Sequence, residues 1–349
     1  MSDPHAASDI ETGVRVPRLG FLGVGWIGKN RLEALVRNGR IRAAAIMDPA
    51  EEMVRRTREI VPDIAVVETY EDLLRQDLDG IVIATPSALH AEQTMAAFEA
   101  RKAVFCQKPL GRSAAEVRRV VQAARESDRL LGVDLSYRFL SGARIMRDII
   151  AAGEIGTVYA VSATFHNAYG PDKAWFYNPQ MSGGGCLIDL GIHLVDLVMW
   201  LFDFPEVKNV CSRLFAGGAP LRNGSPQVED YAFAHADLST GAHLSLDCSW
   251  RLAAGCDAVI QVSLYGSKGG LSMRNVNGSF YDFITERFEG TSRQVLHQPP
   301  DDWGGRAAVD WAERLTRNNG YDPESENLVA TAEILDRIYQ RVAGERTCE

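Results

Sequence analysis

A glycine-rich turn near the start of the chain constrains its fold more than any other feature. The apolar segment Arg18–Leu22 predicts a strand, GVGWIG (residues 23–28) follows it directly, and a helical pattern begins at about Lys29. In such a strand–turn–helix the first glycine permits a tight turn, the second lets a ligand approach the backbone, and the third permits close packing. Because the helix N-terminus also attracts anions, the pattern predicts a dinucleotide site. The residues expected to contact the dinucleotide here are Gly23, Gly25, Trp26, Ile27 and Gly28.

An acidic side chain is expected to select the cofactor. The next predicted strand, residues 41–47, ends at Asp48, about 20 residues beyond the turn. A carboxylate at this position accepts a hydrogen bond from a ribose 2′-hydroxyl and repels a 2′-phosphate. Asp48 therefore predicts NAD rather than NADP.

Polar side chains also follow two later strands at their C-terminal ends, where ligands of open parallel sheets bind. Residues 80–84 and Ala103–Cys106 are continuous apolar runs, typical of parallel strands covered on both faces. The side chains expected to line the dinucleotide after them are Thr85, Pro86, His90, Gln107 and Lys108. For His90, a hydrogen bond to backbone at a helix start is an equally good interpretation. Pro109 biases Lys108 towards an extended conformation, which would hold its ammonium group over the cleft.

The second half of the chain contains GGGCLIDLGIHLVD, residues 183–196, which predicts a glycine-led helix. Asp189 and His193 are i,i+4 neighbours, so an α-helix would place them on one face about 40° apart. A carboxylate beside an imidazole suits general acid–base catalysis, and a satisfied polar patch on a core helix is the alternative. The side chains expected to contact substrate are Arg138, Trp175, Tyr177, Asp189, His193 and Asp196.

The remaining pattern predicts a second domain with a large sheet. Strand-like runs follow one another between residues 207 and 287, mostly with short turns, which indicates a largely antiparallel sheet. Helices are predicted at 306–317 and 325–341. The expected organisation is a disordered tail at 1–14, a doubly wound parallel-sheet domain at 15–137, and an α/β domain at 138–345. Since helices would cover only one face of the open sheet, we expect a homodimer or homotetramer formed through the other face.

Composition excludes several classes of protein. The 349 residues carry a net charge of −9 without a dense basic cluster, which argues against nucleic-acid binding. No apolar run approaches the ~18 residues that a membrane span needs, and the first dozen residues lack the pattern of a signal peptide. The six cysteines form no CxxC pair, so we expect reduced thiols and a cytoplasmic protein. No metal site is predicted.

Taken together, the motifs resemble those of the Gfo/Idh/MocA oxidoreductases. The resemblance covers residues 15–339 and depends on GVGWIG, ATPSALH (84–90), the KP pair (108–109), RF (138–139) before a helix ending AAGEIG, and GGGCLIDLGIHLVDL. It implies a Rossmann domain followed by an open-sheet domain, often paired between subunits, and a catalytic set of Lys108, Asp189 and His193. Two positions depart from the family pattern, which usually has glutamate where this chain has Gln107 and histidine where it has Arg31.

The resemblance predicts an NAD-dependent dehydrogenase that moves hydride between a secondary alcohol of a sugar or polyol and the nicotinamide. His193 would accept the hydroxyl proton, Lys108 would stabilise the same oxygen, and Asp189 would orient the imidazole or bind a neighbouring hydroxyl. One alternative is a nucleotide-sugar ketoreductase, although such enzymes often have tyrosine in place of His193. Another is a dinucleotide-binding transcriptional regulator, which the intact catalytic set disfavours.

Overall fold

The computed structural model describes residues 16–221, 225–339 and 346–347. The tail predicted at residues 1–14 lies outside the described residues.

The first half of the described chain forms a parallel sheet with helices on both faces. Its strands are β1 (Arg18–Leu22), β2 (Arg42–Met47), β3 (Ala65–Val66), β4 (Gly80–Ile83), β5 (Ala103–Cys106) and β6 (Leu131–Val133). Its helices are α1 (Trp26–Asn38), α2 (Glu51–Arg58), α3 (Tyr70–Arg75), α4 (Ser87–Glu99) and α5 (Ala114–Ser127). The strand order is β3-β2-β1-β4-β5-β6, and every pair is parallel. The predicted doubly wound sheet is confirmed, and its order changes direction between β1 and β4, where such sheets bind ligands.

The second half of the described chain forms a larger sheet covered by helices. Its helices are α6 (Ser141–Ala151), α7 (Pro179–Ser182), α8 (Ile192–Leu201), α9 (Arg306–Arg317) and α10 (Glu326–Ile338). Its strands are β7 (Val158–Asn167), β8 (Val207–Ala216), β9 (Ala219–Pro220), β10 (Tyr231–Leu238), β11 (His243–Ser249), β12 (Ala258–Gly266), β13 (Gly269–Asn275), β14 (Phe283–Glu289), β15 (Ser292–His297) and β16 (Arg346–Thr347). Among the described strands of this sheet, only the pairs β7–β11 and β8–β16 are parallel, so the predicted, mostly antiparallel sheet is confirmed.

One face of this sheet is buried and the other is open. Along β10, Ala232, Ala234 and Ala236 point into the core, whereas the alternating residues Phe233 and His235 are partly exposed. The register pairs β10 with β8 and β11, so the same alternation runs across neighbouring strands. The buried face packs against α8 and α10, whose apolar residues join it in one core.

The first domain is completed by a helix from near the end of the chain. Trp311 on α9 is 3% exposed and lies in the same apolar core as Leu19 and Phe105, with its ring centroid 5.8 Å from that of Phe105. Gly80 and Gly132 make room for the indole, since a Cβ at either residue would lie within 3 Å of it. The core of the dinucleotide-type domain therefore extends beyond residues 15–137.

Two expectations from composition need correction. The helical stretch Pro179–Leu201 is long and apolar enough to cross a membrane by length and composition. An 18-residue window within it has a mean hydropathy of 1.6, but 83% of that window is buried inside the protein. Its apolar character is explained by its position in the core of the second domain. The expectation of reduced thiols is wrong for Cys211, which is disulfide-bonded, whereas Cys106, Cys186, Cys248 and Cys256 are free.

Candidate active site

The glycine-rich turn leaves open space above its middle glycine. Gly23 has φ +82°, and a Cβ there would lie 2.7 Å from the carbonyl oxygen of Ala84. A Cβ on Gly28 would lie 2.2 Å from the carbonyl oxygen of Gly23, whereas one on Gly25 would meet no described atom within 4 Å. The N-terminus of α1 has neither a side-chain cap nor an acidic residue in its first turn. Open space over uncapped N–H groups is what a dinucleotide pyrophosphate requires, so these residues fit that cofactor.

Other predicted cofactor residues surround this turn. Trp26 is 68% exposed and Ile27 is partly exposed. The carboxylate of Asp48 accepts hydrogen bonds from Val24 N at 2.7 Å and Ala50 N at 2.8 Å, one on each oxygen. Each oxygen keeps a lone pair, so Asp48 can still accept from a hydroxyl group. Thr85 and Pro86 are partly exposed beyond β4 on the neighbouring side of the switch point.

His90 has a structural role: it is hydrogen-bonded to backbone, which is the alternative interpretation given above for this residue. Its side chain is buried, with Nδ1 2.7 Å from the carbonyl oxygen of Pro109 and Nε2 2.7 Å from that of Thr85. Both ring nitrogens are therefore occupied by backbone. His90 ties the tip of β4 to the tip of β5 and thereby helps to hold Lys108 in place.

Lys108 and Asp189 form the centre of the candidate site. Lys108 Nζ donates to Asp189 Oδ1 and to the Asp189 carbonyl oxygen, both at 2.7 Å. The indole Nε1 of Trp250 donates to the other carboxylate oxygen, Asp189 Oδ2, at 3.1 Å. The side chains of Lys108 and Asp189 are only 20% and 15% exposed. Hydrogen bonds between charged groups in such a partly desolvated site are stronger than neutral ones.

Among the described residues, Asp189 makes no hydrogen bond to His193 that would orient its imidazole. Residues Leu187–Gly191 form a π-helical turn, and only from Ile192 onwards is the helix of the ordinary α type. Such a turn closes with i→i+5 hydrogen bonds and changes the side-chain spacing on which the i,i+4 prediction depended. The carboxylate of Asp189 is consequently bound by Lys108 and Trp250 rather than by the imidazole.

A buried glutamate holds the start of this π-helical turn. Glu229, 1% exposed, accepts hydrogen bonds from Gly185 N at 2.9 Å, Leu187 N at 3.0 Å and the hydroxyl of Tyr339 at 2.7 Å. A Cβ on Gly185 would lie 1.8 Å from the carbonyl oxygen of Glu229, and one on Gly184 would lie 2.1 Å from the Tyr339 hydroxyl oxygen. The glycine run is therefore explained by close approach of Glu229 and Tyr339.

His193 presents a neutral imidazole in this site. Its ring is partly exposed, its Nδ1 atom is buried without a hydrogen-bond partner among the described residues, and its centroid lies 5.0 Å from the ring of Tyr137. Burial holds the pKa of His193 well below its usual value, and the positive charges of Lys108 and Arg31 lower it further. An unprotonated imidazole can accept a proton, which is the property a general base needs.

Three side chains that are predicted to contact cofactor or substrate are instead hydrogen-bonded within the protein: Gln107, Arg138 and Asp196. Gln107 is 6% exposed, and its Nε2 donates to Asp134 Oδ2 at 2.7 Å. Arg138 donates to both carboxylate oxygens of Asp196, with Nε 2.6 Å from Oδ2, and its guanidinium lies 5.1 Å from the ring centroid of Phe204. This pair joins the segment after β6 to α8, which gives both residues a structural role.

The predicted aromatic wall contacts Trp250. Trp175 stacks on Phe176 at 3.8 Å between ring centroids, and the ring of Tyr177 lies 5.7 Å from that of Trp250. Sequence reasoning placed Trp175 and Tyr177 near the substrate but missed Trp250, Glu229 and Tyr339. No local motif marks these three, because each reaches Asp189 or its turn from a position at least 44 residues away in the chain.

Comparison with known proteins identifies the family. The profile of an oxidoreductase family with an NAD-binding Rossmann fold matches residues 17–135, and that of the GFO/IDH/MocA C-terminal domain matches residues 143–272. An inositol 2-dehydrogenase of Gluconacetobacter diazotrophicus is 31% identical over 329 residues, which are 86% of this chain and 93% of that protein. The chain belongs to the Gfo/Idh/MocA family of oxidoreductases.

Other similar proteins act on different substrates. A D-glucoside 3-dehydrogenase of Escherichia coli is 29% identical over 211 residues, and the match spans 58% of this chain and only 60% of that protein. A crystal structure of a 3-ketoreductase from Actinomadura kijaniata, in complex with NADP and TDP-benzene, has a TM-score of 0.81 at 22% identity, covering 95% of this chain and 99% of that one. This last similarity supports the Gfo/Idh/MocA fold along the length of the chain.

Proposed function

We propose that this chain is an NAD-dependent dehydrogenase that transfers hydride between a secondary alcohol of a sugar or polyol and the nicotinamide. The observation that carries the proposal is the contact of Lys108 Nζ with Asp189 at 2.7 Å, beyond the C-terminal end of β5. That edge of the sheet also holds the uncapped N-terminus of α1, which suits a dinucleotide pyrophosphate. The inositol dehydrogenase and glucoside dehydrogenase relatives support an alcohol as the substrate.

Each residue of the site has a task that follows from its environment. In oxidation, His193 accepts the hydroxyl proton, because its imidazole is neutral and partly exposed. Lys108 donates a hydrogen bond to the same oxygen and stabilises its developing negative charge. Asp189, fixed by Trp250, keeps the ammonium group in position. The nicotinamide, when bound, supplies the hydride acceptor at its C4 atom.

The surroundings of Asp48 favour NAD over NADP. The carboxylate stands at the end of β2, and Glu51 and Glu52 follow it in the first turn of α2. The nearby cations Arg55 and Arg56 both donate to Glu52, at 2.8 and 2.7 Å. A 2′-phosphate beside Asp48 would therefore meet a carboxylate while these two arginines are engaged by Glu52, so its binding would be unfavourable.

The test measures hydride transfer directly. Purified protein is offered a panel of inositols, aldoses, glycosides and keto sugar nucleotides, each with NAD(H) and NADP(H), and nicotinamide absorbance is followed. We expect turnover of at least one alcohol, with a higher kcat/KM for NAD than for NADP. Lys108→Met should lower kcat by about 10²-fold or more and leave the Kd for NAD nearly unchanged, because the lost interaction forms at the reacting oxygen.

Three other results would contradict the proposal or change it. Reduction of keto sugar nucleotides alone would replace the alcohol dehydrogenase by a ketoreductase. Dinucleotide binding without turnover of any panel member would favour a binding protein, and loss of NAD binding in Lys108→Met would make the lysine a cofactor ligand only.

A further inference from the structure

A second buried cluster of charged and polar groups adjoins Lys108 and His193. Asp134, which follows β6, is 1% exposed. Its Oδ2 accepts hydrogen bonds from Arg31 Nε at 2.6 Å and Gln107 Nε2 at 2.7 Å, and its Oδ1 accepts one from the Ser136 hydroxyl. One carboxylate therefore joins α1, the tip of β5 and the turn after β6.

The two departures from the family pattern meet in this cluster. Gln107 precedes Lys108, and its amide donates where a glutamate would bring a second carboxylate against Asp134. Two buried carboxylates at that distance disfavour each other's ionisation. Arg31 is buried and paired with Asp134, so its charge is balanced inside the protein. The residue types at positions 31, 107 and 134 are thus mutually dependent.

The cluster also shapes the charge around His193. The charged groups that act on this imidazole are Lys108, which follows β5, and Arg31 from α1, and the neutral Tyr137 ring packs against it at 5.0 Å between centroids. Asp134 is one hydrogen bond further away and holds Arg31 in position. The side chain of Ser136, which precedes Tyr137 in the chain, is bound to the same carboxylate.

We propose that Asp134 is a positioning residue of the hydride-transfer site, which holds Arg31 beside His193 and anchors Gln107 next to Lys108. It touches neither substrate nor cofactor and acts through these two side chains. The catalytic consequence of this role rests on the dehydrogenase function proposed above. The effect of Asp134 on His193 does not depend on substrate.

The test follows the protonation of His193 in the intact protein by NMR of isotopically labelled histidine, with His193→Asn used to assign the signal. Asp134→Asn leaves the Arg31 charge unbalanced, so we expect the pKa of His193 to fall. Arg31→Met removes a positive charge and leaves a carboxylate, so the same pKa should rise. We expect shifts of about one unit in these opposite directions. Asp336→Asn, a buried aspartate that caps α5 through Ala114 N at 2.9 Å, should leave the titration unchanged.

A charge exchange separates electrostatics from packing. At pH values at which both carboxylates are ionised, Gln107→Glu alone adds a negative charge near His193 and should raise the pKa of His193 and lower kcat about 10-fold. The double variant Gln107→Glu/Asp134→Asn should recover both, because it returns one carboxylate to the cluster. NAD affinity should stay constant throughout.

Gln107→Glu also tests the proposal if Asp134→Asn does not fold. Shifts in the same direction for Asp134→Asn and Arg31→Met, or no recovery in the folded double variant, would overturn it. If the wild-type protein turns over no substrate, the proposed function fails but the titrations still decide the role of Asp134.

Discussion

At the scale of single residues, His193 is governed by neighbours that the chain brings from other segments. Its own helix offers it no partner for Nδ1 among the described residues, while Lys108 and Arg31 place positive charge beside it. Both burial and these charges disfavour the protonated ring. The imidazole therefore remains a proton acceptor at pH values where an exposed histidine would already be charged.

This environment predicts the acidic limit of activity. Alcohol oxidation should keep its kcat/KM as the pH falls through about 6.5, the ordinary histidine value, and decline only at lower pH, where His193 becomes protonated. His193→Asn should lower kcat by about 10²–10⁴ and remove that decline. A pH profile of both proteins, with melting curves beside it, is the measurement. A mutant that is fully active, or one that is unfolded, would not support a role in proton transfer.

At the scale of elements, the π-helical turn Leu187–Gly191 determines where the catalytic side chains point. It begins where three N–H and hydroxyl groups converge on the carboxylate of Glu229. Gly185 lies against the backbone of Glu229, the residue that leads into β10. This close contact fixes the position of the π-helical turn relative to β10. The turn is therefore a rigid support for Asp189 rather than an adaptable loop.

Replacing Gly185 tests this fit. The Cβ of Gly185→Ala would lie 1.8 Å from a carbonyl oxygen, and backbone cannot rotate away as a side chain can. We expect a loss of about 3 kcal/mol in the free energy of unfolding, at the upper end for overpacking, and a melting temperature roughly 5–10 °C lower. Gly304→Ala, where a Cβ meets no described atom within 4 Å, is the matched control and should melt like wild type. Equal melting temperatures for the two variants would contradict the close approach.

Local patterns predicted the elements well, but not the contacts between them. The turn at residues 23–28 and the apolar strands β4 and β5 were predicted because each depends on neighbouring residues. Strand β15 was missed since its sequence, SRQVLH, is polar and mostly exposed. The contacts of Asp189 with Lys108 and Trp250 could not be predicted, because a π-helical turn leaves no mark in the sequence. Trp250 and Asp134 could not be linked to the site, since only the folded chain brings them there.

At the scale of the whole molecule, the open face of the large sheet is the place where two copies are expected to meet. Phe215 and Tyr231 contact each other at 6.1 Å between centroids, and Phe233 lies on the same face. Tyr265 on β12 is 44% exposed and lies on the same face, since it alternates with the buried residues Val262 and Leu264. Aromatic residues in a partly apolar face are typical of protein–protein interfaces.

A charge placed in this face should separate the subunits. We expect wild-type protein to be a dimer or tetramer by light scattering after size-exclusion chromatography, and Phe233→Glu to shift it to monomer, because the carboxylate would be buried without a partner. Val66→Glu, on a partly exposed strand of the other sheet, is the control and should keep the wild-type mass. A monomeric wild type, or a Phe233→Glu protein of unchanged mass, would place the interface elsewhere or remove it.

The packing of Trp311 against Gly80 and Gly132 has a consequence for the order of events during synthesis. The six parallel strands leave the ribosome early, but the helix that fills their core begins only at Arg306. A nascent chain that stops before this residue exposes the apolar surface that α9 covers, and exposed surface of this kind promotes aggregation. The parallel-sheet domain therefore reaches its final packing only after Arg306–Arg317 have also been translated.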